Sequence, residues 1–308
     1  MKRTLLLCLL ALCPLLCLAQ QSQEEYLRRY LNLTQRVGPD GVGVETLLDK
    51  WAADWPDDVQ QLLARFSFCF TRCRTSSVIQ LDRDKYLGND PILPMTDSLG
   101  RKCNYFEDYI FDDDLYASAN LAIDRAIALS PLRLDYRRAK ISAMLAYEKE
   151  APEMTLTALK ALADEHFTRH PAWQMEGVPE ITDEHFNAFM EDYCIALFRI
   201  GSPVASEAFK SLSEHLLRYG KDEPLFLNNL GSYYLVKKDY RKARKYYDQV
   251  LKKHPGDLTA IRNGVLLARS SKDVKLEKKY LALLAEYGET ETEKLSAKTR
   301  LEAFTQKR

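Results

Sequence analysis

A stripe of apolar residues at helical spacing, closed each time by a proline, recurs along this chain. Ala243, Tyr246, Tyr247, Val250 and Leu251 hold positions 0, 3, 4, 7 and 8 of one such stripe, and Pro255 follows. Val44, Leu47, Leu48, Trp51 and Ala52 precede Pro56 in the same frame. Ala119, Ala122, Ile123, Ala126 and Ile127 precede Pro131, and Leu159, Leu162, Ala163, His166 and Phe167 precede Pro171. Two further copies end on glycine: Ala205, Ala208, Phe209 and Leu212 before Gly220, and Leu276, Tyr280, Leu283, Leu284 and Tyr287 before Gly288. Each stripe predicts an amphipathic helix, stopped by a residue that breaks it. A second helical segment stands before each. In the clearest copy it carries Leu227, Leu230, Gly231 and Tyr234, and the missing side chain at Gly231 lets a neighbouring helix come close. A helix pair of this size cannot bury its apolar faces alone. Stacked pairs can, and that is a solenoid.

The copy at residues 224–257 reads Leu227-x2-Leu230-Gly231-x2-Tyr234, then Ala243-x3-Tyr247, then Pro255. It resembles a tetratricopeptide repeat, with Leu in place of the first Trp and Tyr in place of Phe. The other copies match mainly in their second helix and its stop. The resemblance implies an all-α fold: a helix-turn-helix α-solenoid over residues 20–288, with a small β-hairpin-like insertion. The frame divides it into six hairpins. They run over Gln23–Pro56, over Asp57–Arg74 joined to the helix before Pro131, and over Leu132–Pro171. Next come Asp183–Gly201 with Pro203–Tyr219, then 224–257, then Leu258–Gly288. Residues 289–308 read as a charged capping helix, which an open solenoid end requires.

The period breaks between residues 75 and 112. The stretches Val78–Leu81 and Cys103–Phe106 favour strands, and the turn cluster Thr96–Gly100 lies between them. Two readings of this insertion stand: a binding element on one face of the array, or a loop that packs along it.

The first nineteen residues have a basic start at Lys2 and Arg3, an apolar run and a small residue at Ala19. They read as a cleaved signal peptide. The apolar run is short for a membrane span and holds Pro14, and Leu16 before Cys17 argues against a lipid anchor. An exported protein, periplasmic or secreted, with no transmembrane segment after cleavage, is the expectation. Beyond the leader lie Cys69, Cys73, Cys103 and Cys194. Buried thiols are one reading. A Cys73–Cys103 disulfide pinning the insertion is the other. Lys and Arg total 44, as do Asp and Glu, so a dedicated nucleic-acid binder is excluded.

Candidate chemistry is sparse. His166 and His170 stand at i, i+4 and could hold zinc. His166 also fills a stripe position, and His170 a helix end where an imidazolium suits the dipole. The sequence Asp-Glu-His-Phe occurs at Asp164–Phe167 and at Asp183–Phe186, late in one helix and at the start of another, which suggests no common geometry. Asp82, Asp84 and Asp112–Asp114 lack the ligand order of a calcium loop. Lys237, Lys238, Arg241, Lys242, Arg244, Lys245, Lys252 and Lys253 read as a solvated outer face, or as a local anion site.

In the tetratricopeptide family the first helix of each pair lines the groove. The resemblance therefore points to Arg138 and Ser142, Asn228 and Ser232, and Arg262 and Arg269 as groove residues, whose donors suit a peptide backbone or carboxylate. The expectation is a non-catalytic scaffold of the cell envelope without a cofactor, binding a protein or peptide. Two alternatives stand beside it: a component of an outer-membrane assembly or uptake complex, and a metal-dependent enzyme using His166 and His170.

Overall fold

A computed structural model describes residues 21–304. The leader expected over residues 1–19 and the last four residues of the expected cap lie outside the described residues. Thirteen helices and two strands are present among the described residues. Helices α1 (Gln23–Val37), α2 (Val44–Asp54) and α3 (Val59–Arg72) come first. Strands β1 (Arg74–Leu81) and β2 (Asn104–Phe111) follow, and then α4 (Asp113–Leu129), α5 (Leu134–Glu148) and α6 (Glu153–Arg169). Next are α7 (Asp183–Ile200), α8 (Pro203–Leu216), α9 (Pro224–Val236) and α10 (Tyr240–Lys253). Last come α11 (Leu258–Ser270), α12 (Val274–Tyr287) and α13 (Glu291–Ala303).

The proline stops work as the sequence demands. α2, α4, α6 and α10 end at Asp54, Leu129, Arg169 and Lys253, each followed by one residue and then the proline. A residue before proline is pushed out of the α region. That residue still donates its N–H to close the last turn: Trp55 to Trp51 O, Ser130 to Ala126 O, His170 to His166 O and His254 to Val250 O. The starts are capped by short acceptors. Asp112 takes the Leu115 N–H, Asp239 that of Lys242, Asp257 that of Ala260 and Asp273 that of Leu276, satisfying donors that an uncapped first turn would leave open.

Where the sequence suggests one continuous array, the chain divides into two compact units. Among the described residues the first comprises 21–79 together with Glu107–Ala143, and the second Gln80–Phe106 together with 144–304.

The first unit holds α1–α4 and the start of α5. Its core centres on Trp51 and Leu48, both fully buried, with Val44, Phe68 and Tyr26 around them. The Trp51 indole stacks on Tyr26 at 5.8 Å and donates to Asp58 Oδ2 at 2.8 Å. A buried indole thus finds an acceptor on the residue that also caps α3, which avoids the cost of an orphaned N–H.

The second unit stacks the hairpins α7–α8, α9–α10 and α11–α12, with α13 packed on α12. Two close approaches lock the last two hairpins. A Cβ added at Gly231 would sit 2.3 Å from the Tyr247 ring, and one at Gly264 would sit 2.4 Å from that of Tyr280. The approach expected from Gly231 is therefore made by Tyr247, and Gly264 repeats it.

β1 and β2 form an antiparallel pair, and the residues between them extend it into a ribbon by the bridges Leu93–Tyr105 and Thr96–Lys102. Within the second unit this ribbon is tied down. Tyr86 packs on Phe106 at 5.9 Å, Asn104 donates to Arg83 O, and Arg83 holds Glu150 with both guanidinium nitrogens. Gly88 lies against the Arg199 backbone of α7, where a Cβ would sit 3.1 Å from the carbonyl oxygen.

Candidate functional site

Two of the expected groove donors tie one hairpin to the next. Asn228 on α9 is buried at 5% exposure and donates from Nδ2 to Asp257, the N-cap of α11, at 3.1 Å. Asn187 on α7 makes the corresponding tie to Glu223, the N-cap of α9, also at 3.1 Å. Arg262 on α11 does the same for α13, with Nε 2.8 Å from Glu293 and NH2 3.0 Å from Glu289. Neighbouring asparagines reach back: Asn229 to Glu191 of α7 at 2.6 Å, and Asn263 to Ser232 of α9 at 3.3 Å. Sequence spacing puts Asn228 and Arg262 on the groove face; it cannot show that the next helix start lies within reach of them.

Arg269 lies 2.9 Å from Glu277, which is 4% exposed and also receives Arg300 at 3.2 Å. Two guanidinium groups on one buried carboxylate supply the pairing that a buried charge needs. Ser232 is half-buried, 3.4 Å from the Tyr247 hydroxyl. Arg138 and Ser142 are exposed on α5 in the first unit, whereas the other four residues belong to the second. The face of α11 that holds Thr259, Arg262 and Arg269 is exposed throughout, and its apolar member is Leu266, 54% exposed. On α9 the corresponding spacing leaves Leu225 and Leu235 half-buried.

The histidine pair does not form a metal site. His166 is 3% exposed, stacked on Phe186 at 3.7 Å. Its Nδ1 accepts the Trp173 indole N–H at 3.2 Å, so its Nε2–H is the donor to Asp183 at 3.1 Å; the tautomer is assigned from these contacts. Both ring nitrogens are engaged. Burial holds the imidazole below its ordinary pKa, hence neutral. His170 is exposed in a left-handed C-cap with φ 47°. No cluster of metal-ligating side chains occurs among the described residues.

The two Asp-Glu-His-Phe copies sit late in α6 and at the start of α7, and one hydrogen bond joins them. Asp183 of the second accepts from His166 of the first, and His185 forms a reciprocal cap with Thr182. Asp164 of the first copy accepts from His215 Nε2 at 2.6 Å and from the Tyr219 hydroxyl. The Tyr219 bond, and then His215, holds Asp164 below the usual carboxylate range.

Among the described residues Cys69, Cys73, Cys103 and Cys194 are free thiols, Cys73 in the first unit and Cys103 in the second. Cys73 is the C-cap of α3, and its thiol donates to Phe70 O at 3.2 Å. Burial raises the pKa of Cys69, Cys73 and Cys194.

Half of the six cations of α10 are matched by acids. Lys242 meets Asp239, Arg244 meets Asp248 and Lys253 meets Asp222. Tyr247 is fully buried, and Tyr234 stacks on Tyr246 at 5.7 Å.

Glu191, followed by Asp192 on α7, gave no functional signal in the sequence. It lies beside Cys194 and takes the Asn229 amide, and burial raises its pKa to about 7. Trp173 likewise follows a helix stop with nothing to mark it, yet it is 5% exposed.

Comparison with known proteins places residues 224–257 in the tetratricopeptide repeat family, whose model matches that stretch. No curated protein gives a significant match. Among solved structures, the chain is similar to Pseudomonas aeruginosa pilF at 12% identity and a TM-score of 0.37, over 90% of this chain and 96% of that one. It is also similar to the flexible tandem repeat domain of a bacterial cellulose synthase component, at 14% identity and a TM-score of 0.29, over 93% of this chain and 98% of that one.

Proposed function

We propose that the protein is an exported, non-catalytic scaffold of the bacterial envelope that binds a protein or peptide on the first-helix face of its second unit. The observation that carries this reading is the uncovered face of α11 beside the matched repeat, where Leu266 stands 54% exposed. Stacked helix pairs present such a preformed surface without paying to order it on binding. The recognition elements are Leu225, Leu235 and Leu266, because Asn228, Ser232, Arg262 and Arg269 already serve the fold. Export rests on the leader pattern of residues 1–19.

The full chain, immobilised and exposed to bacterial envelope extract, is expected to retain a partner saturably. Leu266→Glu should abolish retention, since a carboxylate in an apolar contact is left unpaired. Lys245→Glu, on the exposed face of α10, should leave it intact. Loss in Lys245→Glu with retention in Leu266→Glu would move the contact to the outer basic face.

A further inference from the structure

The first unit contains a cationic groove whose Arg36 and Lys50 have no ion pair among the described residues. α1 contributes Arg29, Leu33 and Arg36 at i, i+4 and i+7, and α2 contributes Leu47 and Lys50 at i, i+3; together they line a cavity of about 490 Å³. That volume lies in the range of ligand sites. Leu33 and Leu47 form an apolar strip between cations, and no carboxylate lines the cavity.

The acids of α2 are committed elsewhere, and Glu24 and Glu25 in the first turn of α1 and Asp40 after its end do not line the cavity. Glu45 of α2 pairs with Arg72, and Asp49 with Arg65, both toward α3. Asp54 accepts from the Tyr26 hydroxyl at 2.7 Å. Arg29 donates only to the neutral Gln21 at 2.7 Å, and neither Arg36 nor Lys50 has an ion pair among the described residues. A solvated helix face ordinarily carries mixed charge. Here three cations converge on one groove whose lining holds no carboxylate. Such an arrangement focuses positive potential and draws in anions.

We propose that this α1–α2 groove is a docking site for an acidic, amphipathic segment of a partner protein. Its apolar side chains would lie on Leu33 and Leu47, and its carboxylates would meet Arg29, Arg36 and Lys50. Arg29 and Arg36 stand two turns apart on α1, about 10 Å along its axis, so the segment presents acids on two levels. Guanidinium groups hold carboxylates bidentately. The inference rests on the scaffold reading for its class of partner, but it concerns a different surface, in a different unit, from the face around Leu266.

The test uses the full chain and a fluorescent synthetic peptide with Glu and Leu at helical spacing, read by anisotropy. Saturable binding is expected, weakened about tenfold by Arg36→Glu, again by Lys50→Glu, and unchanged by Arg28→Glu, an exposed residue outside the groove. Raising salt should weaken it as the Debye length shrinks. Equal weakening by Arg28→Glu would show diffuse attraction and overturn the site. So would absence of saturable binding. Binding of inorganic tripolyphosphate but not of the peptide, lost in Arg36→Glu, would make it a small-anion site instead and overturn the peptide assignment. None of these outcomes depends on Leu266→Glu, so failure here leaves the first-helix face standing, and failure there leaves this groove standing.

Discussion

Glu191 is the residue whose chemistry departs furthest from its surroundings. It sits on α7, half-buried, with the Asn229 amide 2.6 Å away and no cation on it. The acids Asp192 and Glu223 act on it from α7 and from the start of α9, and Cys194 lies beside it. Burial, the largest cause, lifts its pKa from 4.5 to about 7. The folded state therefore binds a proton that the unfolded chain releases. The stability this provides is full below about pH 4.5 and is lost as the pH rises through about 7. Replacing the carboxylate by an amide removes the penalty of ionising it. Glu191→Gln should match the parent near pH 4 and exceed it near pH 8 by on the order of 2–3 kcal/mol. Thermal unfolding across that pH range checks this; a difference that does not change with pH would show that Glu191 does not titrate as described. His166 was legible as a packing residue from its place in the stripe. Its pairing with Trp173 and Asp183 was not, because those residues approach from a loop and from another helix start.

At the scale of elements, the glycine–tyrosine contacts set the spacing of the hairpins. An alanine in place of a mid-helix glycine ordinarily gains up to about 1 kcal/mol of helix propensity. At Gly231 the added methyl would meet the Tyr247 ring at 2.3 Å, and that ring is fully buried with nowhere to go. Gly231→Ala should therefore lose roughly 1–3 kcal/mol, as overpacked cores do. Denaturant midpoints measure it. Adding Tyr247→Leu should recover much of the loss, and a stabilising Gly231→Ala would rule out the close packing. Helix boundaries were the most readable level of the sequence. Each proline removes a backbone donor and restricts the residue before it, so a local signal fixes the end of α2, α4, α6 and α10. The ribbon was half legible: its strand residues announced themselves, but not the ties from Arg83 to Glu150 and from Gly88 to Arg199, which pin it in the second unit.

For the molecule as a whole, the C-terminal helix closes the second unit by charge as well as by packing. Arg262 reaches Glu289 and Glu293, Arg300 reaches buried Glu277, and Ala297 is 2% exposed in the same cluster as Tyr280. Removing residues 289–308 takes away all of these at once. Amide protection should fall in α11 and α12 and stay unchanged in α1–α3, as hydrogen exchange would report. Uniform protection after truncation would mean that α13 carries no stabilising role. The sequence by itself determined the helices and their stops, because helical periodicity and proline act through neighbours within one or two turns. It also placed the best-preserved repeat at 224–257. Only the tertiary structure decided which polar residues remain for a partner. Asn228, Arg262 and Arg269 look alike to Leu266 in a helical register, all on one face. Which of them meets an acid depends on where the next hairpin begins, and that is fixed by packing across the array rather than by the residues along one helix. The same reason separates Lys242 and Lys253 of α10, which meet acids, from Arg36 and Lys50, which have no ion pair among the described residues: a charge is matched or unmatched only once the chain has folded around it.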